Sequence, residues 1–216
     1  MGASLLSSFP PLKEIAKIIR YHHVPWDYGK GSCFEGNEVP FASHIIHLAD
    51  RISILLNHPN KTILIYIDAI HKFLETQNNS KVHPQIFSAF EELCSLEYIW
   101  LDLTSRTLID VLPSLTTFST TQLNLNEISQ LTHIFAKLID YRSPFTANHS
   151  IGVAKVAEKL AELAGFSEKE CQMMLIAGHL HDLGKLAIPN EILEKPSGFN
   201  ENDYNIVRSH TFYTYR

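Results

Sequence analysis

A chain of 216 residues, 45% hydrophobic and 19% charged, is long enough to bury a core as one large domain or two small ones. Its 18 Lys and Arg against 23 Asp and Glu leave a net charge of −5 with no basic run to follow a phosphate backbone, which argues against nucleic-acid binding. Cys33, Cys94 and Cys171 lie far apart with no C-x-x-C pair, and no stretch is apolar enough to span a bilayer. Neither a disulfide framework, a zinc ribbon nor a membrane anchor is therefore expected, and a reducing cytoplasm fits best.

Most of the chain carries helical periodicity. Pro10-Pro11 opens a first helix, expected to run to about His23. Gly29, Gly31, Gly36 and Pro40 then break any pattern and predict a long loop over 26–40. From Phe41 to Leu56 the positions Ile45, Leu48, Ala49 and Ile52 form one apolar stripe. That stripe predicts a buried helix with His47 and Asp50 one turn apart along its polar edge. The β-branched run Ile63 to Ile67 continues into a helical pattern through Ile70 and Leu74, and a further helix is predicted from Pro84 to Leu96.

The uncharged stretch 113–123 separates this region from a second helical one, giving units 1–112 and 124–216. Asn124 with Glu127 reads as a capping box for a helix to about Tyr141. Another helix, with Ile151, Ala154, Ala157, Leu160 and Ala161 inward, ends at Leu163 with Gly165 as its cap. Ser167 with Glu170 caps the next, which delivers His179-Leu180-His181-Asp182 at its end. Asn190 starts a short helix, and Asn200 opens a last segment that carries His210.

Twelve histidines is a high count for this length, and their placement suggests metal chemistry. Adjacent His181 and Asp182 make a compact start for a dinuclear site, because a carboxylate can bridge two cations while the imidazole binds one. His149 and His210 lie on segments that a helical bundle can bring alongside. Such a site polarises a phosphate and activates water. Lys185, three residues past Asp182 and just beyond Gly184, can reach the same point and neutralise phosphate charge. A lone His-Asp pair is more often a surface pair or a helix cap, so the case rests on the wider string.

That string is H-S-I-G-V-A from His149, A-G-H-L-H-D-L-G-K-L-A-I-P-N-E-I-L-E-K-P from Ala177 to Pro196, and R-S-H-T from Arg208. In order, identity and spacing it closely resembles the HD-GYP family of metal-dependent phosphohydrolases, the cyclic di-GMP phosphodiesterases, from about Ile139 onward. The resemblance implies an all-α, HD-domain-like helical bundle. It also implies that His149, His181, Asp182 and His210 bind two divalent transition metals, iron or manganese, with Asp182 and Lys185 as the catalytic pair and Lys185 on the substrate phosphate. Some members carry a carboxylate one turn before the first histidine; here that position is Phe145, which limits the expectation to two metals.

The first half also resembles the family, less closely. Ile18 to Gly31, containing His22-His23, is similar to its paired-histidine motif, although Val24 replaces a Glu and no Gly-Tyr-Pro follows. Ile45 to Ile52 resembles the helix bearing the last metal ligand, here Asp50. The chain thus reads as the back half of one unit followed by the front half of another, as in a piece of a longer tandem protein. The complementary halves could also assemble as one permuted or swapped domain, with His22, His23 and Asp50 completing the metal site. A cyclic dinucleotide substrate, an upstream sensor domain and a homodimer are the implied partners. The competing expectation is a degenerate signalling module that binds nucleotide or protein without hydrolysis. His44, His47 and His71 are not assigned to a metal, since lone helical histidines are more often edge or core residues.

Overall fold

The computed structural model describes residues 2–56, 63–104, 120–142 and 148–216. The chain is all-α apart from a two-stranded hairpin and an isolated bridge between Asn78 and Val82, and it divides into two compact units, Met1–Thr120 and Thr121–Arg216. No helix among the described residues is long and apolar enough to cross a membrane.

In the first unit a short helix α1 (Gly2–Leu6) precedes a 3-10 turn at Pro10–Leu12, where the proline rings preset φ, and α2 (Lys13–Arg20) follows directly. Helix α2 stops three residues earlier than its periodicity suggests. Tyr21–His23 form a turn closed by Val24 N–H donating to the Tyr21 carbonyl at 2.9 Å. Pro25 explains this, because the residue before a proline is pushed out of the helical region. The predicted loop over 26–40 is also more ordered than its glycines suggest. A 3-10 turn at Asp27–Ser32 leads into strands β1 (Cys33–Phe34) and β2 (Asn37–Glu38). The connecting Glu35 and Gly36 adopt φ of 51° and 76°, as a tight hairpin with matching twist requires. Strands of two residues leave no alternation to detect.

Helix α3 (Phe41–Leu56) buries part of the predicted stripe, with Ile52 and Leu55 packed against the core, but not all of it. Leu48 is inside, but Ile45 is 45% exposed, and His44 and His47, expected on the edge, are buried at 3% and 4%. Ser43 fastens the helix to α2 by donating to the Ile18 carbonyl at 2.8 Å. A 3-10 turn at Ile63–Ile65, then α4 (Ile67–Gln77), α5 (Pro84–Cys94) and α6 (Glu97–Thr104) complete the unit. Leu48, Ile70, Leu74, Val82, Ile86, Phe87, Phe90 and Trp100 form its core.

The second unit opens on α7 (Leu125–Tyr141), with both capping-box hydrogen bonds between Asn124 and Glu127 in place. The expected boundary 113–123 lies largely in residues 105–119, outside the described residues, as do Pro144 and Phe145. Helix α8 (His149–Leu163) ends with Gly165 at φ 84°, and α9 (Glu168–Leu180) begins with the Ser167/Glu170 capping box. These two helices meet closely: a Cβ on Gly178 would lie 2.4 Å from the Ala154 Cα. Ala154 and Ala161 face inward as predicted, but Leu160 is 61% exposed. Small residues on the inner face let the backbones approach, and Leu160 falls outside that narrow strip. A 3-10 turn at Leu183–Ala187 then leads to α10 (Asn190–Leu193), α11 (Glu201–Arg208) and α12 (His210–Tyr215).

Candidate metal centre

Asp182 is the second residue past the end of α9, and its carboxylate is almost fully enclosed, with 6% of the side chain exposed. An isolated buried carboxylate is strongly disfavoured, so what surrounds it defines the site. His181 Nε2 lies 3.2 Å and His149 Nε2 3.7 Å from its Oδ2, while His210 Nε2 lies 3.3 Å from Oδ1. Lys185 Nζ is 2.6 Å from Oδ2. Three imidazoles and an ammonium thus converge on one carboxylate.

The histidines are set for this. The Nδ1 of His181 pairs with the Gly178 carbonyl at 2.8 Å, and the Nδ1 of His210 with the Val207 carbonyl at 2.6 Å. A carbonyl only accepts, so each Nδ1 donates there, which orients the ring and leaves Nε2 as the atom that faces the site. His149 stands at the first position of α8, where its side chain projects from the helix start. Among the described residues, the group of three donors whose ligand atoms all lie within 4.8 Å of one another is His149, His181 and Asp182. Imidazole nitrogens with a carboxylate suit a divalent transition metal, so the donor set fits the implied cofactor.

The segments that bear these residues are joined by contacts that sequence patterns did not reveal. Thr214 Oγ1 accepts from the Gly184 N–H at 2.8 Å and donates to the His181 carbonyl at 3.3 Å, tying α12 to the His-Asp turn. A Cβ on Gly184 would lie 1.9 Å from the His210 carbonyl oxygen, so glycine is what lets Asp182 and His210 share a site. Upstream of α11, Lys195 pairs with Asp203, whose carboxyl is held below its ordinary range chiefly by that bond and also by the Asn200 N–H. His179, two residues before His181, points elsewhere: it is buried, pairs with the Thr132 hydroxyl at 3.2 Å, and burial lowers its pKa.

In the first unit the His22 and His23 rings lie against each other, tilted by 37°, with centroids 3.8 Å apart. His22 Nδ1 lies 2.5 Å from the Ile19 carbonyl, the same three-residue back-contact made by His181 and His210. Asp50 is half-buried on α3, one turn from His47, whose Nδ1 pairs with the His22 carbonyl at 2.9 Å. His44 and His47 are buried, and among the described residues neither nitrogen of His44 nor the Nε2 of His47 has a hydrogen-bond partner. The Gly31 and Val24 carbonyls lie near enough to His44 to favour its charged form, yet burial, with His83 and His47 adding, pushes its pKa down. His71 instead faces Glu91 at 3.6 Å.

This fold and this site define an HD domain, and residues 133–216 match the family described as HD domain. That match and the relatives that follow support an HD-GYP family protein. It is 31% identical to the 3'3'-cGAMP-specific phosphodiesterase 1 of Vibrio cholerae over 218 residues, covering 97% of this chain and 50% of that protein. It is also 37% identical over 75 residues to the cyclic di-GMP phosphodiesterase response regulator RpfG of Xanthomonas campestris pv. campestris, covering 35% of this chain and 20% of that one. With the cyclic di-GMP phosphodiesterase of Thermotoga maritima it shares 32% identity over 87 residues, 40% of this chain and 24% of the relative. The chain thus spans half or less of the length of these relatives. No solved structure matches it.

Proposed function

We propose that this chain contributes to a metal-dependent phosphodiesterase acting on a cyclic dinucleotide, cyclic di-GMP or 3'3'-cGAMP. The observation that carries the reading is the enclosed Asp182 carboxylate, faced by three imidazole nitrogens at 3.2–3.7 Å. His149, His181, Asp182 and His210 would hold two divalent metals, iron or manganese. Bound there, such metals supply Lewis acidity to a phosphoryl oxygen and lower the pKa of water. Asp182 fixes the donor set. Lys185, its ammonium beside Asp182, is placed to meet phosphate charge once the carboxylate is otherwise compensated. His22, His23 and Asp50 of the first unit are proposed metal donors as well, and the Nδ1 of His22 already rests on the Ile19 carbonyl. An upstream sensor domain, a homodimer and a cytoplasmic setting belong to the same reading. The organisation as two half-units, 1–112 and 124–216 about a 113–123 linker, does too.

A non-catalytic module that binds nucleotide or protein is the second reading. It is favoured by Val24 beside His22-His23, where the family motif has a Glu.

The test is the metal-to-protein ratio of chain purified anaerobically without chelator, beside Asp182→Ala, His22→Ala and Asp50→Ala. Near two metals per chain, lost in Asp182→Ala, with turnover of a cyclic dinucleotide, is expected. A wild-type ratio near zero sinks the metal reading, and a full ratio without turnover leaves the binding module. Unchanged metal in His22→Ala and Asp50→Ala removes those residues from the donor set.

A further inference from the structure

The end of α7 carries two charged residues that bear no part of the donor set, Asp140 in its last turn and Arg142 just past it, and each grips a different ligand-bearing segment. Asp140 is 2% exposed and accepts from the Ser150 N–H at 3.0 Å through Oδ2 and 3.2 Å through Oδ1; its Oδ1 also accepts from the Ser150 hydroxyl at 2.7 Å. A carboxylate against the first N–H groups of a helix is favoured by the helix dipole. This one therefore fixes where α8 begins, one residue from His149. Two residues on, Arg142 Nη1 donates to the Leu186 carbonyl at 2.5 Å. Its Nη2 donates to the Ile188 carbonyl at 3.2 Å and to the Asn190 Oδ1 at 2.5 Å. The planar guanidinium thus spans the exit of the 3-10 turn that starts beside Asp182 and carries Lys185.

We infer that Asp140 and Arg142 are positioning residues, which together set the separation between His149 on one side of the site and Asp182 with Lys185 on the other. The inference rests on the metal reading above. The 3.7 Å between His149 Nε2 and Asp182 Oδ2 is the widest of the three imidazole contacts, and its two segments, which pack on each other farther along at Ala154 and Gly178, are both held from α7 as well. His181 and Asp182 are chain neighbours, and Thr214 and Gly184 bind the His210 helix to the turn. For His149 the start of its helix is set from α7, by Asp140 on Ser150.

Manganese(II) titration of the full chain tests this, with unfolding of the metal-free protein followed in parallel. Outer residues that orient metal ligands typically change affinity about 10–100-fold, and a loss in that range is expected for Asp140→Asn and for Arg142→Ala. Arg142→Lys should restore part of it, since one ammonium cannot hold two carbonyls and an amide together. The decisive comparison is a double-mutant cycle: in a His149→Ala background Asp140→Asn should weaken manganese no further. An equal loss in both backgrounds means Asp140 acts on the fold at large and overturns its assignment. Manganese affinity unchanged in both single variants overturns the inference while leaving the metal site intact. A wild type that takes up no manganese overturns the metal reading and this inference with it.

Discussion

The two units place histidines in opposite ways. In the second, His181 and His210 spend Nδ1 on a carbonyl three residues back and turn Nε2 onto a buried carboxylate. In the first, His44 is buried against Trp26 and near His83 with both nitrogens unpartnered, and no shared carboxylate gathers the imidazoles among the described residues. Back-bonding marks a histidine prepared to give a lone pair outward, whereas unpartnered burial marks one held neutral for packing. His22 follows the first pattern although it belongs to the unit with the degenerate motif.

The largest expected effects break this comparison through its glycines. A Cβ on Gly184 meets backbone, the His210 carbonyl oxygen at 1.9 Å and the Thr214 nitrogen at 2.6 Å; one on Gly31 meets the Pro25 carbonyl oxygen at 2.0 Å. Backbone cannot swing aside as a side chain can, so Gly184→Ala and Gly31→Ala should each destabilise by about 1–3 kcal/mol or more in denaturant unfolding. They should differ in their second readout. Gly184→Ala displaces His210 from Asp182 and should lower metal uptake, whereas Gly31→Ala should lower it only if the His22-His23 segment contributes donors. Wild-type stability in Gly184→Ala would mean that α12 does not pack on the turn as described.

Legibility in the sequence divided along the same line. The capping boxes at Asn124 and Ser167 were readable because each rests on two residues at fixed spacing, and both are present; at Asn200 the sequence marked only a helix start, to which the structure adds Asp203 as the partner. His149, His181, Asp182, Lys185 and His210 were legible through spacing and resemblance, and they do converge. What stayed hidden depends on contacts distant in sequence. Neither Arg142 reaching Leu186 and Ile188 nor Thr214 reaching Gly184 has a local signature. In α3 the apolar stripe pointed to Ile45, but Ser43 bound to the Ile18 carbonyl and His47 to the His22 carbonyl turn the helix so that its histidines go inward. There polar side chains with long-range partners share the buried face with Leu48, and Ile45 is left outside.

A smaller effect concerns pH. Burial, with His83 and His47 adding, lowers the pKa of His44 from its ordinary 6.5, and burial, with His133 adding, lowers that of His179. A folded-state pKa below the unfolded one means that the unfolded chain binds more protons, so stability rises with pH in that window. These groups cost nothing above the unfolded value near 6.5 and destabilise as pH falls below it toward their folded pKa. Urea midpoints measured at pH 7.5 and at pH 5.5 should therefore diverge. His44→Leu should narrow the gap, because the side chain that resists protonation is gone. A gap as wide in the variant as in the wild type would show that His44 is not held neutral by its surroundings.

The smallest expected change has the opposite sign and asks whether α8 needs a pliable start. Gly152 lies in the first turn of that helix, exposed, and an added Cβ there meets nothing within 4 Å. An open helical glycine gives up more conformational freedom on folding than alanine does, so Gly152→Ala should stabilise by about 0.5–1 kcal/mol. If Asp140 alone fixes the helix start, manganese affinity should not move, because the substitution stiffens a turn already in place. A stabilised variant that binds manganese less well would mean that His149 reaches the metal only when the first turn of α8 can flex. The second unit would then depend on motion in the one segment that its contacts are otherwise arranged to hold still.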